Sequence, residues 1–279
     1  MRKLLFMLVA LLGIVGLTGC NKEPQFDFSK GKLVVGLEAG YAPFNWMETE
    51  KTDTNVKLDG MNAYVEGYDV QIAKMIAEDL RLELVIKMID WDGLIPALKS
   101  GVIDVIIAGM SPTEVRKRSI NFTNEYYRSD HVVIVKIDSP FANATKFSDF
   151  AGAKIMGQKG TLYDNLAKQL AQKAGGVYQQ PLDNVPAIIY SVKSGVTDVT
   201  IVERPVALSI VSTNPELKFI RLNEEFEVSE IDEIVSIGVR KGDDKLREKI
   251  NESLAKISQE TRERLMEEAI AKAPASDEE

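Results

Sequence analysis

Two charged residues sit where a bound molecule could meet them. Arg116 closely follows the run Ser111-Pro112-Thr113-Glu114, and Glu203 closes the apolar run Val199-Thr200-Ile201-Val202. A guanidinium offers a planar fork of donors that matches a carboxylate, and a carboxylate at the end of an apolar run can take a cation. "SPTE" fits a capping box, with Ser111 at the cap, Pro112 in the first helical position and Glu114 two places on. A helix is therefore expected there, with its free amides and dipole offering an anion site. "GQKGTLYD" reads as another strand, loop and helix start; Gly160 permits close backbone approach and Thr161 offers a hydroxyl. Groups for a carboxylate on one side, and a carboxylate for an amine on the other, suit a zwitterionic amino acid.

Other chemistry is poorly supplied. His131 is the only histidine and Cys20 the only cysteine. A nucleophile–histidine relay would have to pass through His131, inside the apolar run "SDHVVIVK", so His131 is expected to be structural. Zinc sites with Cys and His ligands, a phosphate-binding Walker loop and a dinucleotide glycine pattern are unsupported, so no metal and no cofactor is expected. Asp69, Asp104 and Asp198 read as turn or cap residues. The net charge of −8 argues against nucleic acid as a partner and against broad adhesion to anionic lipid.

The elements that must position Arg116 and Glu203 announce themselves by repetition. "LKSGVIDVIIAGMS" at 98–111 returns as "VKSGVTDVTIVERP" at 192–205. The shared half is a helix end, a glycine stop, a turn and a buried strand. Around the first copy, "KLVVGLEAGYAPF" reads as strand and loop, "YDVQIAKMIAEDL" as a helix, "LELVIKMI" as a strand, and "WDGLIPALKSG" as a short helix. In that short helix Asp92 is expected to cap, Pro96 to lie near the first turn and Gly101 to close. Around the second copy the order recurs: "AKIMGQKG", "TLYDNLAKQLAQKAG", "GVYQQ", then "NVPAIIYSVKSG" with Pro186 early and Gly195 at its end. Twice β-α-β-α-β gives parallel sheets flanked by helices. Ligands bind outside the carboxyl ends of such strands, which selects 108–116 and the stretch from Glu203 onward, where the two phrases diverge. Residues 45–66 are expected as a long loop or hairpin, and 243–272 as a closing amphipathic helical region.

The amino terminus has its own logic. Arg2-Lys3, an apolar run from Leu4 to Leu17 and Leu17-Thr18-Gly19-Cys20 read as a signal peptide over 1–20 that ends in a lipobox. Cys20 is the expected lipid acceptor and 21–30 a tether.

"GYAPFNW", "GYDVQIAK", "WDGLIPALKSGVIDVIIAGMSPTEVRKRSINFTNEYY" and "SGVTDVTIVERP" stand in the order and rough spacing of one family. The chain resembles the family 3 extracellular solute-binding proteins, over about residues 31–270. The resemblance implies a periplasmic-binding-protein-like α/β fold: two lobes, 31–129 with 233–272 and 130–232, joined by two strands that cross near 127–133 and 226–235, then an acidic tail at 273–279. It implies a monomeric, non-enzymatic receptor that closes on an amino acid, delivers it to the permease subunits of an ABC importer, and is held at the outer face of the cell membrane through Cys20. By motif, Arg116 holds the ligand carboxylate. Ser111, with Gly109 and Met110, and Thr161, with Gly160, complete the clamp. Glu203, where many relatives carry Asp, meets the α-amine, and Tyr41 and Trp91 wall the side-chain pocket with Glu38 nearby. Glu38, Glu203 and the flat face of Trp91 mildly favour a basic side chain. The family also includes cyclohexadienyl dehydratases, so a lyase with Glu203 or Glu38 as acid or base is the alternative; the lipobox favours the receptor. The long 45–66 segment and the Glu203-Arg204-Pro205 run depart from the family pattern and leave the substrate open.

Overall fold

The protein is seen here as a computed structural model that describes residues 24–274. The segment expected as a signal peptide, Cys20 and 275–279 of the expected acidic tail lie outside the described residues. Strand β1 (Lys32–Leu37) buries Leu33, Val35 and Leu37 in the middle of a sheet. The 45–66 stretch, expected as a long loop or hairpin, folds back in antiparallel pairs as a hairpin does and contributes to a small antiparallel sheet. It comprises β2 (Gly40–Tyr41), β3 (Asn45–Glu48), β4 (Val56–Lys57) and β5 (Tyr64–Glu66), in the order β2-β3-β5-β4. These strands are too short to show a period of two, and their buried apolar residues Trp46 and Val65 lie on opposite faces.

Helix α1 (Tyr68–Leu80) buries Val70, Ile72, Ala73, Ile76 and Ala77, the face its spacing requires. Strand β6 (Glu83–Met88) pairs parallel with β1 along its whole length. Helix α2 (Trp91–Ser100) buries Leu94 and Leu98 and ends at Gly101, in the left-handed region at φ 79°. Two details differ from expectation: Asp90 holds the cap position and Asp92 lies in the first turn, while Pro96 is inside the helix. Strand β7 (Val105–Ile106) flanks β1 on its other side. The next helix, α3, is only Glu114–Lys117, and its cap is Thr113, whose hydroxyl accepts from the Arg116 amide at 3.4 Å. The helix start expected at Ser111 is therefore displaced by two residues, and Thr113 caps it without a capping box. Strand β8 (Asn121–Arg128) closes the sheet, whose order is β6-β1-β7-β14-β8; β14 (Ile234–Val239) arrives at the far end of the chain.

Across Ser129-Asp130 the chain enters a second sheet through β9 (His131–Lys136). Then come β10 (Lys154–Met156), α4 (Leu162–Ala174), β11 (Val177–Tyr178), α5 (Val185–Lys193), β12 (Val199–Glu203), α6 (Arg204–Thr213) and β13 (Leu217–Ile220), in the sheet order β11-β10-β12-β9-β13. The plan matches the first sheet: two strands parallel to a first one, a return strand antiparallel, and a last strand beyond it. The chain returns to β14 between Ile220 and Ile234, and α7 (Asp244–Ala255) and α8 (Gln259–Lys272) follow. Helix α8 packs on α1 of one lobe and on α6 of the other. The segment expected as a tether is docked in part: Phe26 and Phe28 pack on the core, ring centroids 4.7 Å apart, and the Phe26 amide donates to Asp243 at 2.7 Å.

The repeated phrase has a common task. Asp104 accepts from the Val34 amide at 3.0 Å and its own amide donates to the Val34 carbonyl at 2.8 Å. Asp198 does the same to Lys154, at 2.8 and 2.9 Å. In each lobe, one aspartate clamps the third strand beside the first.

The apolar core is shared unequally. One cluster runs from β1, α1 and β7 through to Val132, Ile134, Val202 and Val206 of the second lobe. A smaller cluster, including Val133, Val135, Phe150, Leu166 and Leu170, belongs to the second lobe alone.

Candidate functional site

The carboxyl ends of the central strands converge. After β1 come Glu38 and Tyr41; after β6, Trp91 at the head of α2; after β7, Gly109 and Ser111; and then Arg116. From the other lobe come Thr161, at the head of α4, and Glu203, at the end of β12. These residues line one enclosed space of about 20 Å³, together with Gln158, Leu162 and Tyr163. Met110 and Gly160 do not line it; they border an adjoining mouth of about 570 Å³ that also touches Trp91 and Arg116. Eight of the ten residues expected from sequence thus line the space, and Gln158, Leu162 and Tyr163 were missed. Gln158 lies between two glycines and Tyr163 just past a cap, and nothing in the local pattern says which way either side chain turns.

Arg116 works from lobe to lobe. Its Nη1 donates to the Ser111 carbonyl at 2.8 Å and its Nη2 to the Gly160 carbonyl at 3.3 Å, and its guanidinium lies 5.0 Å from the centroid of the Trp91 ring. Trp91 Nε1 donates to the same Gly160 carbonyl at 3.2 Å. Desolvation between the lobes brings the Arg116 pKa down to about 10, which leaves it charged at neutral pH. Gly160, at φ 69°, is where the lobes touch: a Cβ there would sit 2.8 Å from an Asp92 oxygen. Asp92 in turn pairs with Lys159 at 3.3 Å.

Each carboxylate has its own surroundings. Gln158 Nε2 donates to both oxygens of Glu38 at 3.3 Å. Burial, against the pull of that bond and with help from the charges of Asp90 and Asp92, raises Glu38 to about 7. Glu203 is buried and accepts from the hydroxyls of Tyr41 and Tyr163. Burial pushes its carboxyl up, and the two hydroxyls and Arg116 oppose the shift. Both tyrosines are held protonated, by burial first and by the Glu203 charge next.

Two expected donors are already engaged. The Thr161 hydroxyl donates to the Gln158 carbonyl at 2.7 Å and accepts from the Tyr163 amide at 3.1 Å, so it caps α4. Ser111 is buried, with its hydroxyl 3.5 Å from the Asp232 carbonyl. The arrangement supplies one guanidinium, two carboxylates, tyrosine hydroxyls and one indole face: a set that recognises a compact ion carrying both signs of charge. His131 is apart from it, on β9, with its ring 5.8 Å from Tyr163 and neither nitrogen bonded.

The fold has counterparts among known proteins. The chain is 29% identical over 219 residues, 78% of its own length and 79% of the relative's, to the arginine-binding extracellular protein ArtP of Bacillus subtilis (strain 168). Its fold superposes with a TM-score of 0.74 on an amino acid ABC transporter substrate-binding protein, AbpA from Streptococcus pneumoniae Canada MDR_19A, solved bound to L-arginine. That pair is 30% identical and covers 90% of this chain and 98% of the other. A reconstructed ancestral amino-acid-binding protein, a precursor of cyclohexadienyl dehydratase, superposes with a TM-score of 0.71 at 26% identity, covering 87% of this chain and 97% of the other. The sequence profile that matches, over residues 33–271, is that of the bacterial extracellular solute-binding proteins, family 3, and the chain belongs to that family.

Proposed function

We propose that this protein is the extracytoplasmic receptor of an amino-acid ABC importer and that its ligand is a free amino acid with a cationic side chain. The observation that carries the ligand class is charge: one guanidinium, Arg116, faces two carboxylates, Glu38 and Glu203, around one space. One positive and two negative groups leave one negative, and a basic amino acid carries one net positive charge. In this reading Arg116 takes the ligand carboxylate, with Gly109, Met110 and Ser111 on one side and Gly160 and Thr161 on the other. Glu203 takes the α-ammonium in exchange for its tyrosine partners. Glu38 takes the side-chain cation, and Trp91 and Tyr41 flank the aliphatic stem. The relative and the solved neighbour named for arginine support this class.

A space of about 20 Å³ is smaller than any amino acid, so ligand enters as the lobes part. The lobes, 31–129 with 233–272 and 130–232, turn about the two crossings, and ligand that touches both selects the closed form. The receptor acts as a monomer, without cofactor or catalysis, handing its ligand to the permease while Cys20 holds it at the membrane. The lyase reading keeps one specific support, a Glu38 carboxyl with its pKa near the operating pH. A thermal-shift screen against the twenty amino acids tests the proposal, because a ligand of the native state raises apparent stability. Arginine and lysine should give the largest shifts. A largest shift from an acidic or apolar amino acid overturns the ligand class, and turnover of prephenate or arogenate overturns the receptor-only reading.

A further inference from the structure

Two loops supply four of the first lobe's six residues in the site, one carrying Glu38 and Tyr41 and the other Gly109 and Ser111. Each loop turns through a left-handed residue: Ala39 at φ 57° and Gly109 at φ 58°. For an alanine that conformation is strained, so something must hold it. The Ala39 amide donates to Asn45 Oδ1 at 2.7 Å, and the Gly109 amide donates to the Tyr126 hydroxyl at 3.0 Å. Asn45 and Tyr126 come from different elements, β3 and β8, yet both end on one side chain. Asn45 Nδ2 donates to Asp69 Oδ2 at 2.8 Å, and the Tyr126 hydroxyl donates to Asp69 Oδ1 at 2.6 Å.

Asp69 and Asn45 are fully buried, as is Tyr126. Asp69 sits in the first turn of α1, where the helix dipole favours a negative group, and its own amide donates to the Phe44 carbonyl at 2.8 Å. Hydrogen bonds from Tyr126, Asn45 and the Gly109 amide favour the ionised carboxyl, against a burial that raises it to about 7. A buried carboxyl among apolar neighbours is costly unless its bonds are used. Here those bonds lead to the two left-handed turns that aim the site loops.

The geometry points to Asp69 as a positioning residue for ligand binding: through Asn45 and Tyr126 it fixes the Glu38–Tyr41 loop and the Gly109–Ser111 loop relative to each other. The inference rests on the proposed amino-acid site, and its test has one arm that does not. Amide hydrogen exchange at Ala39 and Gly109 is followed by NMR in the full chain. Asn45→Ala should speed exchange at Ala39, and Tyr126→Phe at Gly109, each by tenfold or more. Asp69→Asn should speed both. Exchange in Asp69→Asn that rises by less than threefold at either amide overturns the relay, whether or not any amino acid binds.

The second arm is arginine affinity by calorimetry. Asp69→Asn should bind at least tenfold more weakly than the parent. It should also bind more weakly than Ile250→Ala, a buried substitution on α7 away from the site, when the two are compared at equal loss of thermal stability. Equal affinity in those two variants reduces Asp69 to a core residue and overturns the positioning role. A parent that binds no amino acid refutes the proposed function instead, and the exchange arm still decides the relay.

Discussion

Arg116 makes its hydrogen bonds to carbonyls and none to a carboxylate, so a ligand carboxylate gains a desolvated cation. Arg116→Ala should therefore weaken binding by roughly 30-fold or more, from the ~2–5 kcal/mol typical of removing one partner of a buried charged pair. Calorimetry checks it, and affinity within twofold of the parent removes Arg116 from the site. Glu38 should make binding depend on pH. A cationic ligand favours the ionised carboxyl, so below about 7 the protein must first release a proton. Affinity for arginine should fall as pH falls through about 7, toward a limit of about tenfold per unit, and Glu38→Gln should abolish that slope. For the unliganded fold the sign is opposite: a carboxyl raised above its ordinary value stabilises below that value and loses the contribution as pH rises through about 7. Arg116 and Glu203 were legible in sequence because their positions follow from strand ends. Gln158 and Tyr163 were not, because the side chains of a glycine-flanked loop are aimed by tertiary contacts.

At the scale of elements, the repeated phrase was legible because a glycine stop, an aspartate and a buried strand are local instructions. Their outcome is the pair of aspartate clamps, and the clamps differ in one respect that the phrase hides. Asp198 adds only a distant pairing with Lys154 at 3.8 Å, whereas Asp104 also meets buried Arg240 at 3.3 Å. Asp198→Ala should cost about 1 kcal/mol, the lower end of the range for orphaning an amide, since the Lys154 amide is only part-buried. Asp104→Ala should cost more, since it also strips a partner from a buried guanidinium. Urea unfolding of the two variants checks the order; equal losses would mean that Asp243, 2.8 Å from Arg240, suffices alone. The helix start at α3 was misread by two residues because Ser111 and Thr113 are both good caps, and the buried setting of Ser111 decided between them. The small β2–β5 sheet was legible only as far as a loop or hairpin, because two- to four-residue strands carry no periodicity.

At the scale of the molecule, polar contacts between lobes around the space join Trp91 and Arg116 to Gly160, Glu38 to Gln158, and Tyr41 to Glu203. Saturating arginine should lower the radius of gyration in small-angle scattering and change tryptophan emission, and Trp91→Phe should abolish the emission change. Scattering that ignores a ligand proved to bind would defeat the hinge. The two-lobe plan could be read from the doubled element order, but the joining of the lobes' apolar interiors could not, since burial in one cluster or two depends on how sheets meet. That joined cluster, from β1 and β7 through to Val202 and Val206, has a thermodynamic consequence. If parting the lobes wets its seam, closure on ligand removes apolar surface that belongs to the protein itself. Binding should then carry a negative heat-capacity change larger than the ligand's own apolar area supplies. Titrations from 10 to 35 °C should grow steadily more exothermic, even for a ligand as polar as arginine. A slope no steeper than the ligand accounts for would mean that the seam stays dry, and that the lobes rock about it as about an oiled bearing.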